Sequence, residues 1–358
     1  MKTVYSRLLL FALFLTFDLI MFGAFVRITD AGLGCPDWPG CYGKATPLGA
    51  LDSIRAEAAV RPDGPVTVFK AWVEMLHRYI AAGLGLIVIG LAVAATRARR
   101  NSAVKRPPGV WLAWFTLAWI IAQGAFGALT VTLKLQPAIV TAHLLGGMVL
   151  FGLLVAQWCR IAGPIVTQDA QPLRLLAWAA LAVLFLQIAL GGWVSTNYAT
   201  LACQSFPSCQ GQWWPPMDFA RGFELWRSLG VSADGQALPF QALTAIHMVH
   251  RLWAGLAFLL IGWLAGRALS TPAVRLYGQL LVALLALQAL TGLTNVFLDW
   301  PLVAAVAHTG GAAGLLGVVL VVAFASAVSS PARPAESRFG HKSQPDAPPR
   351  QAASTVRA

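Results

Sequence analysis

Apolar runs recur along the chain, covering about residues 8–28, 72–96, 110–132, 138–159, 173–194, 239–266, 275–297 and 302–327, with polar or charged stretches between them. Each run reaches the roughly 20 residues that an α-helix needs to cross a bilayer. The pattern therefore predicts an all-α membrane protein with eight transmembrane helices. The first run, Leu8–Val26, has span length and no small-residue cleavage site after it, so it reads as a permanent span rather than a removed leader. Two long connections, 29–71 and 195–238, fall on the same side as two very short ones around Lys134–Pro137 and Asp299–Pro301.

Composition agrees with this pattern and excludes a soluble enzyme: 58% of the residues are hydrophobic and only 11% charged, against about a quarter charged in soluble chains. The net charge of +12 raises nucleic acid as a partner, but the basic residues form no patch interleaved with aromatics. They sit in short stretches between the apolar runs, which is a topology signal. Sixteen of the 26 Lys and Arg, with three acids, fall on the side of Lys2, Arg7, Arg97, Arg160, Arg267 and the tail; ten basic and ten acidic residues fall on the other, and Asp18 lies in the first span. Both termini are thus expected in the cytoplasm, the long connections outside, and no nucleic acid is expected as a partner.

The chain also repeats itself. Gly23, Val26, Ala31, Leu33, Cys35, Trp38-Pro39, Cys41 and Gly43 match Gly191, Val194, Ala199, Leu201, Cys203, Phe206-Pro207, Cys209 and Gly211 at an offset of 168. Gln123, Gly127 and His143 recur as Gln288, Gly292 and His308 at an offset of 165, and His77-Arg78 recurs as His250-Arg251 at 173. Because four spans return the chain to its starting side, the expectation is two pseudo-symmetric four-helix bundles in the same orientation. Their bounds are 1–165 and 166–328, followed by a disordered cytoplasmic tail, 329–358, rich in Pro, Ala, Ser and Arg.

Histidine concentrates the candidate chemistry. His341 lies in the tail; the other five lie within spans, about one or two turns after the outer start of an even-numbered helix. Ionisable groups at that depth are functional candidates. The repeat pairs His77 with His143 and His250 with His308, and two imidazoles on facing helices can ligate one metal or both axial positions of a heme. The competing reading is a set of interhelical hydrogen bonds. Zinc is disfavoured because a structural site wants about four close ligands, whereas His143-Leu-Leu-Gly-Gly and His308-Thr-Gly-Gly-Ala leave room for a flat macrocycle or for close helix packing.

Glu74 precedes His77 by three residues on nearly the same helix face, and His247 takes its place before His250. One half thus carries an acid that the other lacks, which suggests chemistry in the first and a fixed cofactor in the second; an interfacial charge favoured by the helix dipole is the alternative. Arg78 and Arg251 could each pair with a heme propionate or snorkel to the interface. Trp38, Trp72, Trp193, Trp213, Trp214 and Trp300 read as membrane anchors. Cys35 with Cys41 and Cys203 with Cys209 form two Cys-x5-Cys pairs in the outer connections, where local disulfides are favoured and a thiol-exchange or metal role stays open. Cys159 reads as a packed free thiol.

Together, the loop motif from Gly23 to Cys41, the Glu74-Met-Leu-His77-Arg78 segment, His143, His250-Arg251 and Ala307-His308-Thr-Gly-Gly-Ala resemble the bacterial heme A synthase family across residues 8–327. The resemblance implies an oxidoreductase that converts the C8 methyl of heme O to the formyl of heme A for cytochrome oxidase biogenesis. It implies His250 and His308 as ligands of a permanent heme b, His77 and His143 as ligands of the substrate heme, and Glu74 as the catalytic acid. It associates Cys35 and Cys41 with activity or heme transfer, and Cys203 and Cys209 with a second pair present in some members; both are expected as disulfides. Implied surroundings are a bacterial plasma (inner) membrane with heme sites toward the outer face, membrane lipid, dioxygen or water as oxygen source, and heme O synthase (farnesyltransferase) and oxidase assembly factors as partners. A homo-oligomer is left open. A di-heme cytochrome b-type electron carrier and a heme transporter or chaperone are the rival readings.

Overall fold

A computed structural model describes residues 2–62, 64–100, 109–162 and 168–327. The expected tail, the boundary at 165/166 and the basic residues Lys105 and Arg106 lie outside the described residues. The helices are α1 (Lys2–Ile28), α2 (Leu51–Val60), α3 (Val68–Arg99), α4 (Val110–Thr132), α5 (Pro137–Ala162), α6 (Arg174–Thr196), α7 (Phe219–Gly222), α8 (Phe240–Leu269), α9 (Arg275–Phe297) and α10 (Leu302–Ala325). All but the short α2 and α7 are long and apolar enough to cross a membrane, which makes eight spans. Among the described residues there is no β-strand, only three isolated bridges in the connections.

The helix ends follow local chemistry. Thr67 caps α3, its hydroxyl accepting from the Lys70 amide at 3.1 Å, so α3 begins four residues before the apolar run does. Proline opens α5 at Pro137 and precedes α8 and α10 at Pro239 and Pro301, where a missing N–H leaves nothing unsatisfied. The two short reversals each place two consecutive residues at positive φ: Lys134 and Leu135, and Asp299 and Trp300.

The spans pack as two closed rings. In the first, α1 packs on α3, α3 on α4, α4 on α5 and α5 on α1; in the second, α6 packs on α8, α8 on α9, α9 on α10 and α10 on α6. The rings share a wide seam in which α1 meets α10 and α5 meets both α6 and α10, so the eight spans pack as one compact unit. One apolar cluster lies within the first ring, around Leu9, Leu84 and Leu154; the other, around Ile261, Leu281 and Val319 of the second, extends across the seam to Met148 and Phe151 of α5. Small residues are buried between the helices, among them Ala92, Ala95, Ala265 and Ala268. Lipid tails are as apolar as leucine, so close van der Waals packing rather than water exclusion holds these helices together.

At one end the long connections meet. Arg27 donates through Nη2 to the Ser195 carbonyl at 2.8 Å and lies over the Tyr198 ring, 3.9 Å from its centroid. The Tyr198 hydroxyl donates to Asp30 at 2.5 Å. Burial, followed by its bond to Asp30, raises the Tyr198 hydroxyl above its ordinary range despite the nearby Arg27, so it remains a donor.

Each connection carries the expected disulfide, Cys35–Cys41 and Cys203–Cys209. In each, the second cysteine exchanges both backbone hydrogen bonds with the residue three later, Cys41 with Lys44 and Cys209 with Gln212. The two residues between sit at positive φ, Tyr42-Gly43 and Gln210-Gly211, the conformation of a tight primed turn. The first cysteine loop rests on α3 through Gly34, where an added Cβ would lie 2.5 Å from the Lys70 backbone carbon and 2.6 Å from the Ala71 nitrogen. Gly34→Ala is expected to lift this loop and to destabilise the protein by about 1–3 kcal/mol; a lowered thermal midpoint of the detergent-solubilised protein is the check.

Candidate functional site

The chemistry-bearing side chains gather at the loop end of the two rings. In the first ring α3 supplies Glu74, His77 and Arg78, and α5 supplies His143. In the second α8 supplies His247, His250 and Arg251, and α10 supplies His308. His143 and His308 lie about two turns into their helices, but His77 and His250 lie nearly three turns in. His77 is deeper than the sequence pattern indicated because α3 starts at Val68, before its apolar run, whereas α8 starts at Phe240, where the pattern put it, and simply carries His250 further along.

Within each ring the paired imidazoles approach closely enough to interact electrostatically, His77 with His143 and His250 with His308. All four are half-buried, whereas His247 is only 4% exposed. Each of the four also faces a glycine of a neighbouring helix. A Cβ at Gly23 of α1 would lie 3.3 Å from His77 Nε2; at Gly127 of α4, 3.2 Å from His143 Cε1; at Gly191 of α6, 3.1 Å from His250 Cε1; and at Gly292 of α9, 3.4 Å from His308 Cε1. A larger side chain at any of these positions would press on the ring.

Two glutamines brace the pairs. Gln123 Nε2 donates to the His143 carbonyl at 2.6 Å, and Gln288 Nε2 to the His308 carbonyl at 2.8 Å, tying α4 to α5 and α9 to α10 at the histidine. The sequence marked both glutamines by their repeat spacing but assigned them no role. Thr291, whose Oγ1 lies 2.9 Å from His308 Nδ1, carried no signal at all, because the matching position 126 is Phe.

Glu74 is 5% exposed and does not project alone. Its Oε2 accepts from the Cys35 amide at 2.9 Å, and its Oε1 pairs with Arg78. Arg78 in turn donates through Nη1 to the carbonyls of Asp37, Pro39 and Gly40 at 2.9, 3.2 and 2.8 Å. The second ring repeats the device with other chemistry. His247 Nδ1 meets the Ala199 carbonyl at 2.9 Å, and Arg251 donates to the carbonyls of Ser205, Ser208 and Cys203 at 2.7, 3.2 and 2.7 Å. Neither arginine snorkels; each clamps its own disulfide loop, and the Arg251 Nε remains buried without a partner.

Of the tryptophans expected as anchors, Trp38, Trp213 and Trp214 are exposed, but Trp193 is buried and donates to the Gly222 carbonyl at 2.9 Å. It holds α7 against α6 instead. Cys159 is a free thiol packed against the second ring's apolar cluster, as its setting in the sequence suggested.

The donor set fits a heme better than a bare metal ion. No group of three or more His, Cys, Asp or Glu is clustered for a metal among the described residues. What each ring offers is two half-buried imidazoles, each packed against a glycine where any Cβ would press on the ring. The His143 Nδ1 is buried without a hydrogen-bond partner.

An eight-span helical membrane protein with two histidine pairs beneath disulfide-closed loops is the class that fold and site define. The pattern of the cytochrome oxidase assembly protein family (COX15-CtaA) matches residues 6–320, and the chain belongs to this family. It is 40% identical over 88% of its length, and 94% of the relative's, to a protein of Shewanella oneidensis named heme A synthase. Proteins of the same name from Symbiobacterium thermophilum and Rhizorhabdus wittichii are 29% and 28% identical, over 84% and 87% of this chain and 88% and 91% of theirs.

Proposed function

We propose that this protein is a heme A synthase that oxidises the C8 methyl of heme O to a formyl group in two successive steps, through an alcohol and its hydrate, with loss of water leaving the aldehyde. The observation that carries the reading is the pair of matching histidine sites, of which only the first has a carboxylate one turn before its imidazole. The relatives' name supports it independently.

In this reading His77 and His143 hold the substrate heme, and His250 and His308 hold a resident heme b. When bound, heme b supplies a route for electrons to or from the substrate site. The chain's own residues do the rest. Gly23 and Gly127 make room for the first pair's imidazoles, and Gln123 fixes α4 against α5 at the histidine. Glu74, oriented by the Cys35 amide and by Arg78, holds or moves a proton beside the substrate or stabilises positive charge at the methyl carbon. Whether dioxygen or water supplies the oxygen is decided by isotope labelling of the product. Arg78 and Arg251, already clamping the loops, are the candidate partners of heme propionates.

The protein is placed in a bacterial plasma membrane, with two four-helix halves (1–165 and 166–328), cytoplasmic termini and heme sites toward the outer face, consistent with the charge asymmetry. Heme O synthase and oxidase assembly factors are the natural donor and recipients. Extraction and chromatography of the hemes bound to protein produced in cells that supply heme O tests the activity. Heme A or its hydroxylated precursor is expected; heme b alone would overturn the synthase and favour an electron carrier.

A further inference from the structure

The two histidine pairs differ at the imidazole nitrogen that points away from a ligand. Thr291 on α9 is 6% exposed. Its hydroxyl has backbone carbonyl acceptors in Leu287 at 2.7 Å and Gln288 at 3.4 Å, while its oxygen lies 2.9 Å from His308 Nδ1. With its own hydrogen engaged by a carbonyl, the hydroxyl oxygen can only accept from the imidazole. That places the proton on Nδ1 and leaves the Nε2 lone pair for iron, the arrangement that orients and strengthens a histidine ligand.

The first ring has no such contact. At the repeat spacing that relates His143 to His308, position 126 is Phe, and His143 Nδ1 is buried with no partner.

We propose that Thr291 is a positioning residue that fixes the His308 imidazole for tight, lasting heme ligation, and that its replacement by Phe126 in the first half makes the His143 site an exchangeable one. This deepens the reading given under Proposed function and rests on it. The asymmetry suits a protein that keeps one heme and must release the other. Without the hydroxyl that fixes the His308 ring, the His143 imidazole has more rotational freedom to lose on ligation.

The test uses the full-length protein in detergent, loaded during expression. Heme release to excess apoglobin, the reduction potential of the retained heme and its low-spin ferric resonance signal are measured for wild type, Thr291→Val, Thr291→Ser and His308→Ala. The isosteric Thr291→Val is expected to speed release of the retained heme by about 10- to 100-fold and to raise its potential, because a weaker imidazole donor stabilises ferric iron less. Thr291→Ser should restore both. Wild-type release, potential and resonance in Thr291→Val would overturn the inference. His308→Ala separates the two levels: retention of the heme with unchanged spectra there would sink the ligand assignment itself, while its loss alongside an unaffected Thr291→Val sinks only the role of Thr291. Should Thr291→Val fail to accumulate, Phe126→Thr decides. Slower release from the first site supports the inference, and unchanged release overturns it.

Discussion

Glu74→Ala is expected to yield a protein that still carries heme b but from whose extract heme A and its hydroxylated precursor have disappeared, leaving heme O. Removing a positioned proton donor or acceptor costs about 10²- to 10⁴-fold in rate, enough to take product below detection on the timescale of expression. The geometry adds a second consequence. The carboxylate also receives the Cys35 amide and pairs with Arg78, so the alanine variant leaves a buried N–H without an acceptor and Arg78 without its counter-charge, at about 1–3 kcal/mol for the amide alone. Glu74→Gln separates the two effects, since its amide oxygen can still accept from Cys35 while the negative charge is lost. A Gln variant with wild-type thermal stability and no product assigns Glu74 to the chemistry. A Gln variant that makes heme A at the wild-type rate would reduce Glu74 to a latch for the disulfide loop.

Exchanging His250 or His308 for Ala should abolish the retained heme, read as heme per polypeptide, whereas His247→Ala should keep it. His247 stands one turn before His250 on the same helix. The structure separates them by environment: His250 is half-buried, faces Gly191 and senses His308, while His247 is sealed with its Nδ1 on the Ala199 carbonyl. Loss of that contact is expected to loosen the second loop by about 1–3 kcal/mol, seen as faster proteolysis between α6 and α8 with heme content unchanged. Loss of heme in His247→Ala and its retention in His250→Ala would reverse the assignment.

The clamps give the disulfide loops a meaning beyond covalent closure. Glu74 with Arg78, and His247 with Arg251, bind backbone groups in the cysteine loop beside the histidine on the same helix. A change in either loop is therefore felt within a turn of a proposed iron ligand. This couples the loop to the site through hydrogen bonds rather than through any reaction of the cysteines.

The sequence by itself determined the eight spans, the all-helical class, the residue types of both histidine pairs and the local cysteine pairing. These depend on short-range pattern: span-length apolar runs, a repeat that returns Gln, Gly and His at constant spacing, and cysteines six positions apart. Even the acid present in one half and missing from the other was legible, because Glu74 and His247 occupy the same place in the repeat. Only the tertiary structure decided what these side chains touch. The bond from Glu74 to Cys35, the clamp of Arg251 on Ser205 and Cys203, the burial of Trp193 against Gly222 and the approach of Thr291 to His308 join residues on separate elements. The reason is geometric. Periodicity specifies the face on which a side chain emerges, but the partner of a buried polar group depends on how helices and loops from distant parts of the chain are brought together, and that is a property of the packed rings.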